Sequence, residues 1–234
     1  MKTTTINTQA ELESLLDEYG NLIVEGNLIA TISISVPDYI KSGGSIESGG
    51  SIKSGGSIES GGSIKAGGFI KAGYSIKAGH SIEAGDYIEA GHSIEAGGYI
   101  EAGYSIKAGD YIEAGDYIEA GHSIEAGGYI EAGYSIKAGD SIEAGYSIEA
   151  GYSIKAGYIL SLIFEIKCEK MITSKLPFYR NYYSQMPGME KFAGIIQEKC
   201  WDEIREALKK EREYILSLPC WHPLIRTHIE NFLK

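Results

Sequence analysis

The chain has 234 residues, a formal net charge of −11, 31 glycines and 17 tyrosines. Neutralising duplex phosphates takes Lys and Arg, so this acid balance argues against a nucleic-acid ligand and points to plain solubility or a basic partner. No apolar run reaches the length of a membrane span, and residues 1–18 are too polar for a signal peptide. Cys168, Cys200 and Cys220 form no CxxC pair; together these features fit a reducing cytosol.

Residues 1–20 read as an N-terminal helical cap. Thr8-Gln9-Ala10-Glu11 has the form of a capping box, Leu12, Leu15, Leu16 and Tyr19 share one helical face, and Gly20 is the expected stop. Residues 21–36 hold strand candidates with Leu22, Leu28 and Ile34 six residues apart, and Pro37-Asp38 follows.

From residue 39 to 158 one six-residue unit repeats. Ile falls at every sixth position from Ile40 to Ile154. After it come Glu or Lys, Ser or Ala, an invariant Gly, a variable residue, and Ser, Tyr or Phe. Six is not a helical period, and a Gly in each unit disfavours helix by roughly 1 kcal/mol. The period suits short strands joined by tight turns: Ile and Ala (or Ser) point inward, Glu or Lys outward, and Gly takes the turn, where positive φ is open to it. One hexad buries too little apolar surface to stand alone, whereas stacked coils bury a continuous column of Ile.

The expected fold is mainly β: a single-stranded β-helix, or solenoid, over residues 21–170, with about seven three-sided coils. A 12-residue coil is the alternative to 18. The first hexads favour 18, which sets Lys41 on Glu59 and Glu47 on Lys65, while the array as a whole does not discriminate. The frame continues at Leu160, Ile166 and Ile172.

Residues 171–234 read as a C-terminal α-helical module. A long helix over 189–218 carries Phe192, Ile195, Ile196, Cys200, Ile204 and Leu208 at helical spacing, and Pro219 ends it. A short helix over 224–233 closes the chain. Such helices either cap the solenoid or form a homodimer through 189–234. Cys200, Cys220, His222 and His228 match no standard zinc spacing.

Ile94-Glu95-Ala96-Gly97 fits the opening of the hexapeptide repeat, and on that pattern the array resembles the hexapeptide-repeat, left-handed β-helix superfamily. A bactofilin-like right-handed β-helix is the nearest competitor. The resemblance raises an acyltransferase with a His base. Here His80, His92 and His122 lie in unbroken repeats with no inserted loop to hold a substrate, so no catalytic residue, cofactor or metal is expected.

In the 18-residue frame Glu95, Glu113, Glu131 and Glu149 make one acidic column, and Glu83, Glu101 and Glu119 another. Phe69 falls on Tyr87, Tyr99 on Tyr117 and Tyr111 on Tyr129. Such pairs stabilise a sheet by roughly 0.2–1 kcal/mol each, and Tyr is also enriched at protein interfaces. Residues 91–110 and 121–140 are identical. Their offset is not a whole number of three-sided coils, so the copies land on different faces and the hexads look interchangeable.

In design the chain is similar to acidic, phage-type nuclease inhibitors, the DNA mimics and anti-CRISPR proteins. That similarity implies a non-enzymatic binding protein. Its Tyr/Glu rod would engage the basic surface of a CRISPR effector or other nuclease in the host cytosol, without direct contact to nucleic acid or membrane. The alternatives are a self-assembling scaffold and, against the evidence of the unbroken array, an acyltransferase.

Overall fold

The structure is a computed structural model and describes residues 2–161, 166–168, 171–173 and 179–180. Each hexad gives one short strand that starts at its Ile or at the residue before it, as in Ile94–Ala96 and Tyr117–Ala120. The strands form three parallel sheets, here faces A, B and C. Face A has ten strands, opening with β1 (Thr3–Ile6) and β3 (Asn27–Ala30). Faces B and C have nine each and open with β2 (Leu22–Val24) and β4 (Ile34–Val36). The chain visits B, A and C in turn.

The register is eighteen residues: Ile76 pairs with Ile94, and Ile94 with Ile112. This is the three-sided coil, and it excludes the 12-residue one. The solenoid exceeds the length of the array because both flanks join its sheets. Leu22, Leu28 and Ile34 enter the ladder at the start. Ile166–Cys168, Met171–Thr173 and Tyr179–Arg180 extend it at the end.

The core is one column of isoleucine per face. Ile40, Ile94 and Ile154 are 0 % exposed, and the small residue two places on is buried as well. Each such Ile contributes on the order of 1.5–3 kcal/mol by leaving water. The backbone ladder also passes the corners: the His92 N–H donates to the Tyr74 carbonyl at 2.8 Å, and the Gly97 N–H to the Ala78 carbonyl at 3.1 Å. Backbone groups at the corners thus have partners although no strand runs there.

The invariant glycine has a different cause from the one expected. Among the described residues positive φ occurs at Gly20 (+83°) and at no array glycine. What the invariant array glycines supply, Gly49 apart, is clearance between coils. A Cβ on Gly109 would lie 1.9 Å from the Gly91 carbonyl oxygen one coil below. Coil spacing, not turn conformation, excludes every side chain there.

At the N-terminus the capping box is present: the Glu11 N–H donates to Thr8 Oγ1, and the Thr8 N–H to Glu11 Oε2, each at 3.2 Å. The helix is shorter than expected. α1 spans Gln9–Ser14 and stops at Leu15, ahead of Gly20. Leu12 is buried with Ile6 in the common core, Leu16 packs against it, and Leu15 and Tyr19 are exposed. The apolar face is therefore narrower than the helical spacing implied. Gly20 instead closes a turn organised by Asp17, which accepts from the Tyr19 and Asn21 N–H groups at 2.9 Å. β1 was not foreseen; it pairs with β3 in parallel and adds a strand to face A.

The frame slips once. Ile142 pairs with Ile159, seventeen residues on, so Ile159 and not Leu160 takes the inward position. The cause is visible in Gly157-Tyr158-Ile159, a corner that lacks the variable residue. Pairing then returns to eighteen with Ile148 and Ile166. The expected helical module over 189–234, with its homodimer contact and its Cys and His residues, lies outside the described residues.

Candidate functional site

The position after each Ile faces outward on a strand, so the register sets which charges stack. Face B carries Lys77, Glu95, Glu113, Glu131, Glu149 and Lys167 in one column. Face A carries Lys65, Glu83, Glu101, Glu119 and Lys137. Both columns of glutamates expected from the sequence are thus unbroken, and a lysine bounds each end. Lys77 pairs with Glu95 at 2.7 Å, Lys65 with Glu83 at 2.9 Å and Lys137 with Glu119 at 2.5 Å; Lys167 pairs with Glu149.

The middle of each column has no such neutralisation. Glu101, Glu113 and Glu131 are exposed and make no ion pair among the described residues. Two unit charges one strand spacing apart, about 4.8 Å, repel by roughly 1 kcal/mol in water.

Tyrosines lie over these columns from the neighbouring coil. The Tyr99 hydroxyl donates to Glu83, the Tyr111 hydroxyl to Glu95, and the Tyr129 hydroxyl to Glu113 at 3.4 Å. Tyr99 stacks on Tyr117 with ring centroids 4.8 Å apart, and Tyr111 on Tyr129 at 4.9 Å. Phe69 stacks on Tyr87 at 4.9 Å, on face C. All three stacks follow the expected pairing. The four tyrosines of faces A and B are half-buried, each offering a ring edge beside a carboxylate.

The titration of these groups follows the geometry. The Tyr99 hydroxyl, then Lys65, holds Glu83 below the usual carboxylate range. Lys77, then the Tyr111 hydroxyl, does the same for Glu95 against the opposing effect of burial. Burial, followed by the Glu113 charge, pushes the Tyr129 phenol up to about 12. Tyr117 is raised by burial and then by Glu101. Glu83 and Glu95 thus stay charged, and Tyr117 and Tyr129 protonated, across the neutral range.

The corners carry a second arrangement. Tyr74, His92 and Asp110 lie in one column, on the edge between faces C and B. Tyr74 stacks on His92 at 5.5 Å, and His92 Nδ1 lies 2.8 Å from Asp110 Oδ2. Tyr104, His122 and Asp140 repeat this on the edge between faces A and C, with distances of 4.3 and 2.7 Å. The thirty-residue copy therefore does move to another edge, but it carries the His–Asp pair with it, and a tyrosine one coil before each His completes the stack. The signal was in the sequence as His and Asp at the coil spacing of eighteen. Among the described residues no three His, Cys, Asp or Glu side chains gather as a metal site.

No protein-family model matches the chain, and neither a curated protein nor a solved structure matches it. The fold by itself defines the class: a parallel, three-sided β-solenoid. No helix among the described residues is long and apolar enough to cross a membrane.

Proposed function

We propose that the chain is a non-enzymatic binding protein that sets its acidic faces A and B against a basic protein surface. The partner class we infer is a nucleic-acid-handling enzyme such as a CRISPR effector or another nuclease. The protein would then act as an inhibitor of phage or mobile-element type, working in the host cytosol. The observation that carries this reading is the column Glu95, Glu113, Glu131 and Glu149, four carboxylates in register with lysines only at its ends. Lysine at a middle position would lower the repulsion, as Lys77 does between Glu59 and Glu95. The column gives up that stability and gains a linear negative field edged with tyrosine, the residue type that anchors protein interfaces.

The test is capture from bacterial lysate at low and high salt, with Glu95, Glu113, Glu131 and Glu149 all changed to Gln as the control. A nucleic-acid-handling protein held at low salt, released at high salt and lost in the Gln form supports the reading. Capture of the same proteins by both forms sinks it.

A scaffold that stacks end to end is the second reading. One observation favours it: at the N-terminal end β1 covers face A and Leu16 bridges to Leu22 of β2 on face B, whereas β4 is the outermost strand of face C. Open strand edges pair with other chains. Electron microscopy of concentrated protein tests it, with filaments as the supporting result.

A further inference from the structure

Face C differs from the other two faces. Its outward column in the array is Lys53, Lys71, Glu89, Lys107, Glu125 and Glu143. The face is neutral, with three of each sign, and its order is antisymmetric about the point between Glu89 and Lys107. Set against itself in reverse, it brings Lys53 opposite Glu143, Lys71 opposite Glu125 and Glu89 opposite Lys107. Every pair is of opposite sign. Face B, with seven array strands, fails the same operation, setting Glu95 against itself and Glu59 against Glu131. Face A has seven array strands, so Glu101 would meet itself.

Size follows the same rule on face C. The residues before each Ile are Ser51, Phe69, Tyr87, Ser105, Ser123 and Ser141. Reversal sets the stacked rings of Phe69 and Tyr87 over Ser123 and Ser105. At the adjoining corners Tyr74 comes opposite Gly128, His122 opposite Gly68, and His92 opposite Asp110. Bulky groups meet small ones on the face, and at the edges Tyr74 and His122 meet glycine while Tyr104 meets Asp86.

We infer that face C is a self-recognition surface, pairing with face C of a second copy in an antiparallel, two-fold dimer. The axis runs along the strand direction, between the Glu89 and Lys107 strands. Such an interface is isologous, which is why the pattern must be antisymmetric about its centre. Six strands at a spacing of about 4.8 Å make a face roughly 30 Å long and one strand wide. That is smaller than the ~800 Å² per partner of a standard interface, so the dimer is of the weak, concentration-dependent class. The inference does not depend on the partner proposed for faces A and B, which it leaves outward on both copies.

The outermost pair gives a clean test, because Lys53 and Glu143 make no ion pair among the described residues. Lys53→Glu sets a glutamate beside Lys71 in its own column, and Glu143→Lys sets a lysine beside Glu125, so each single change improves the intrachain ladder. Each also creates like-charge contacts across the two-fold. Sedimentation velocity of the full chain, over a concentration series up to roughly 1 mM, reads the result. The expected outcome is a dimer in the native chain, weakened at least tenfold by either single change. It returns in the Lys53→Glu/Glu143→Lys double variant and in an equal mixture of the two single variants, whose charges again oppose. A native chain that stays monomeric throughout overturns the proposal. So do single variants that dimerise like the native chain, or a mixture that does not recover.

Discussion

Residues 39–68 and residues 69–157 build the same coil by two different means. In the first stretch the inward small residue is serine at Ser42, Ser48, Ser54 and Ser60, and alanine only at Ala66. The buried serine hydroxyl donates to a corner carbonyl, as from Ser48 to Ile32 at 2.8 Å and from Ser60 to Gly44 at 2.6 Å. The corners there are Gly-Gly, and serine hydroxyls fill the space beside them: the Ser63 N–H donates to Ser45 Oγ at 3.1 Å. In the second stretch Ala replaces the buried Ser and needs no partner. Except at Gly98 and Gly128 the corners carry Tyr, His or Asp, and the rings stack as Tyr74 on His92, Tyr104 on His122 and Tyr134 on Tyr152. A hydrogen-bonded edge is thus exchanged for an aromatic one at constant coil geometry. The isoleucine column and the glycine clearance do not change, so those two features define the fold and the rest is surface that can vary.

The largest effect should come from what both stretches share. Ile58→Ala and Ile106→Ala are each expected to cost about 2–5 kcal/mol, read by chemical unfolding, because a close-packed column cannot collapse around the void. A cost at one site far below the other would break the equivalence of the two halves. The glycine clearance comes next. Gly109→Ala forces a Cβ into the Gly91 carbonyl and should cost about 1–3 kcal/mol. Gly49→Ala, whose Cβ would lie 3.2 Å from the Thr31 carbonyl, should be far milder. Equal losses would mean that the glycines serve conformation after all.

Ser60→Ala removes a buried hydroxyl donor and should cost about 1 kcal/mol. Removing the Tyr99–Tyr117 stack by Tyr117→Ala should cost about 0.5–1 kcal/mol, the counterpart in the aromatic stretch. The titration limits give the smallest changes. Glu83 and Glu95 are held below their ordinary range, so their contribution is full above the unfolded carboxylate pKa and is lost as pH falls through the folded values. The melting temperature of Glu95→Gln should depend less steeply on acid than that of the native chain. Tyr129 stays protonated up to about 12, whereas an ordinary phenol ionises near 10.0, so stability should fall between those pH values. Tyr129→Phe should flatten that limb in alkaline melts.

Much of this architecture was legible because each hexad repeats one local rule. Strict Ile spacing locates the core; the Lys41–Glu59 and Glu47–Lys65 matches favour a coil of eighteen residues, and the strand register decides it. The acidic columns follow from that number alone. Other features depend on neighbours that the repeat does not encode. The glycine requirement arises from a carbonyl one coil away, which no local turn rule contains. α1 ends early because only Leu12 and Leu16 reach the core, although Leu15 and Tyr19 share their helical spacing. The pairing of Ile142 with Ile159 rests on one missing corner residue, easily overlooked beside an apolar run that offers Leu160 in the old frame. The His92–Asp110 contact joins corners of successive coils, so it shows only when positions eighteen apart are set side by side.

The eighteen-residue register also acts as a counter on how such a gene can lengthen. An insertion of one full coil would extend an existing stack along its own edge and make it longer. An insertion of one or two hexads preserves every strand and the entire core, yet starts its cargo on a different edge. The identical blocks at 91–110 and 121–140 are offset by thirty residues, one coil and two faces. That step took the His–Asp pair from one border of face C to the other, where a tyrosine already stood one coil before it. Unequal recombination between near-identical hexads can therefore write a surface motif around the rod like the thread of a screw. Inheritance of the fold is secured at every step, and the arrangement of the surface is set by the remainder on division by eighteen.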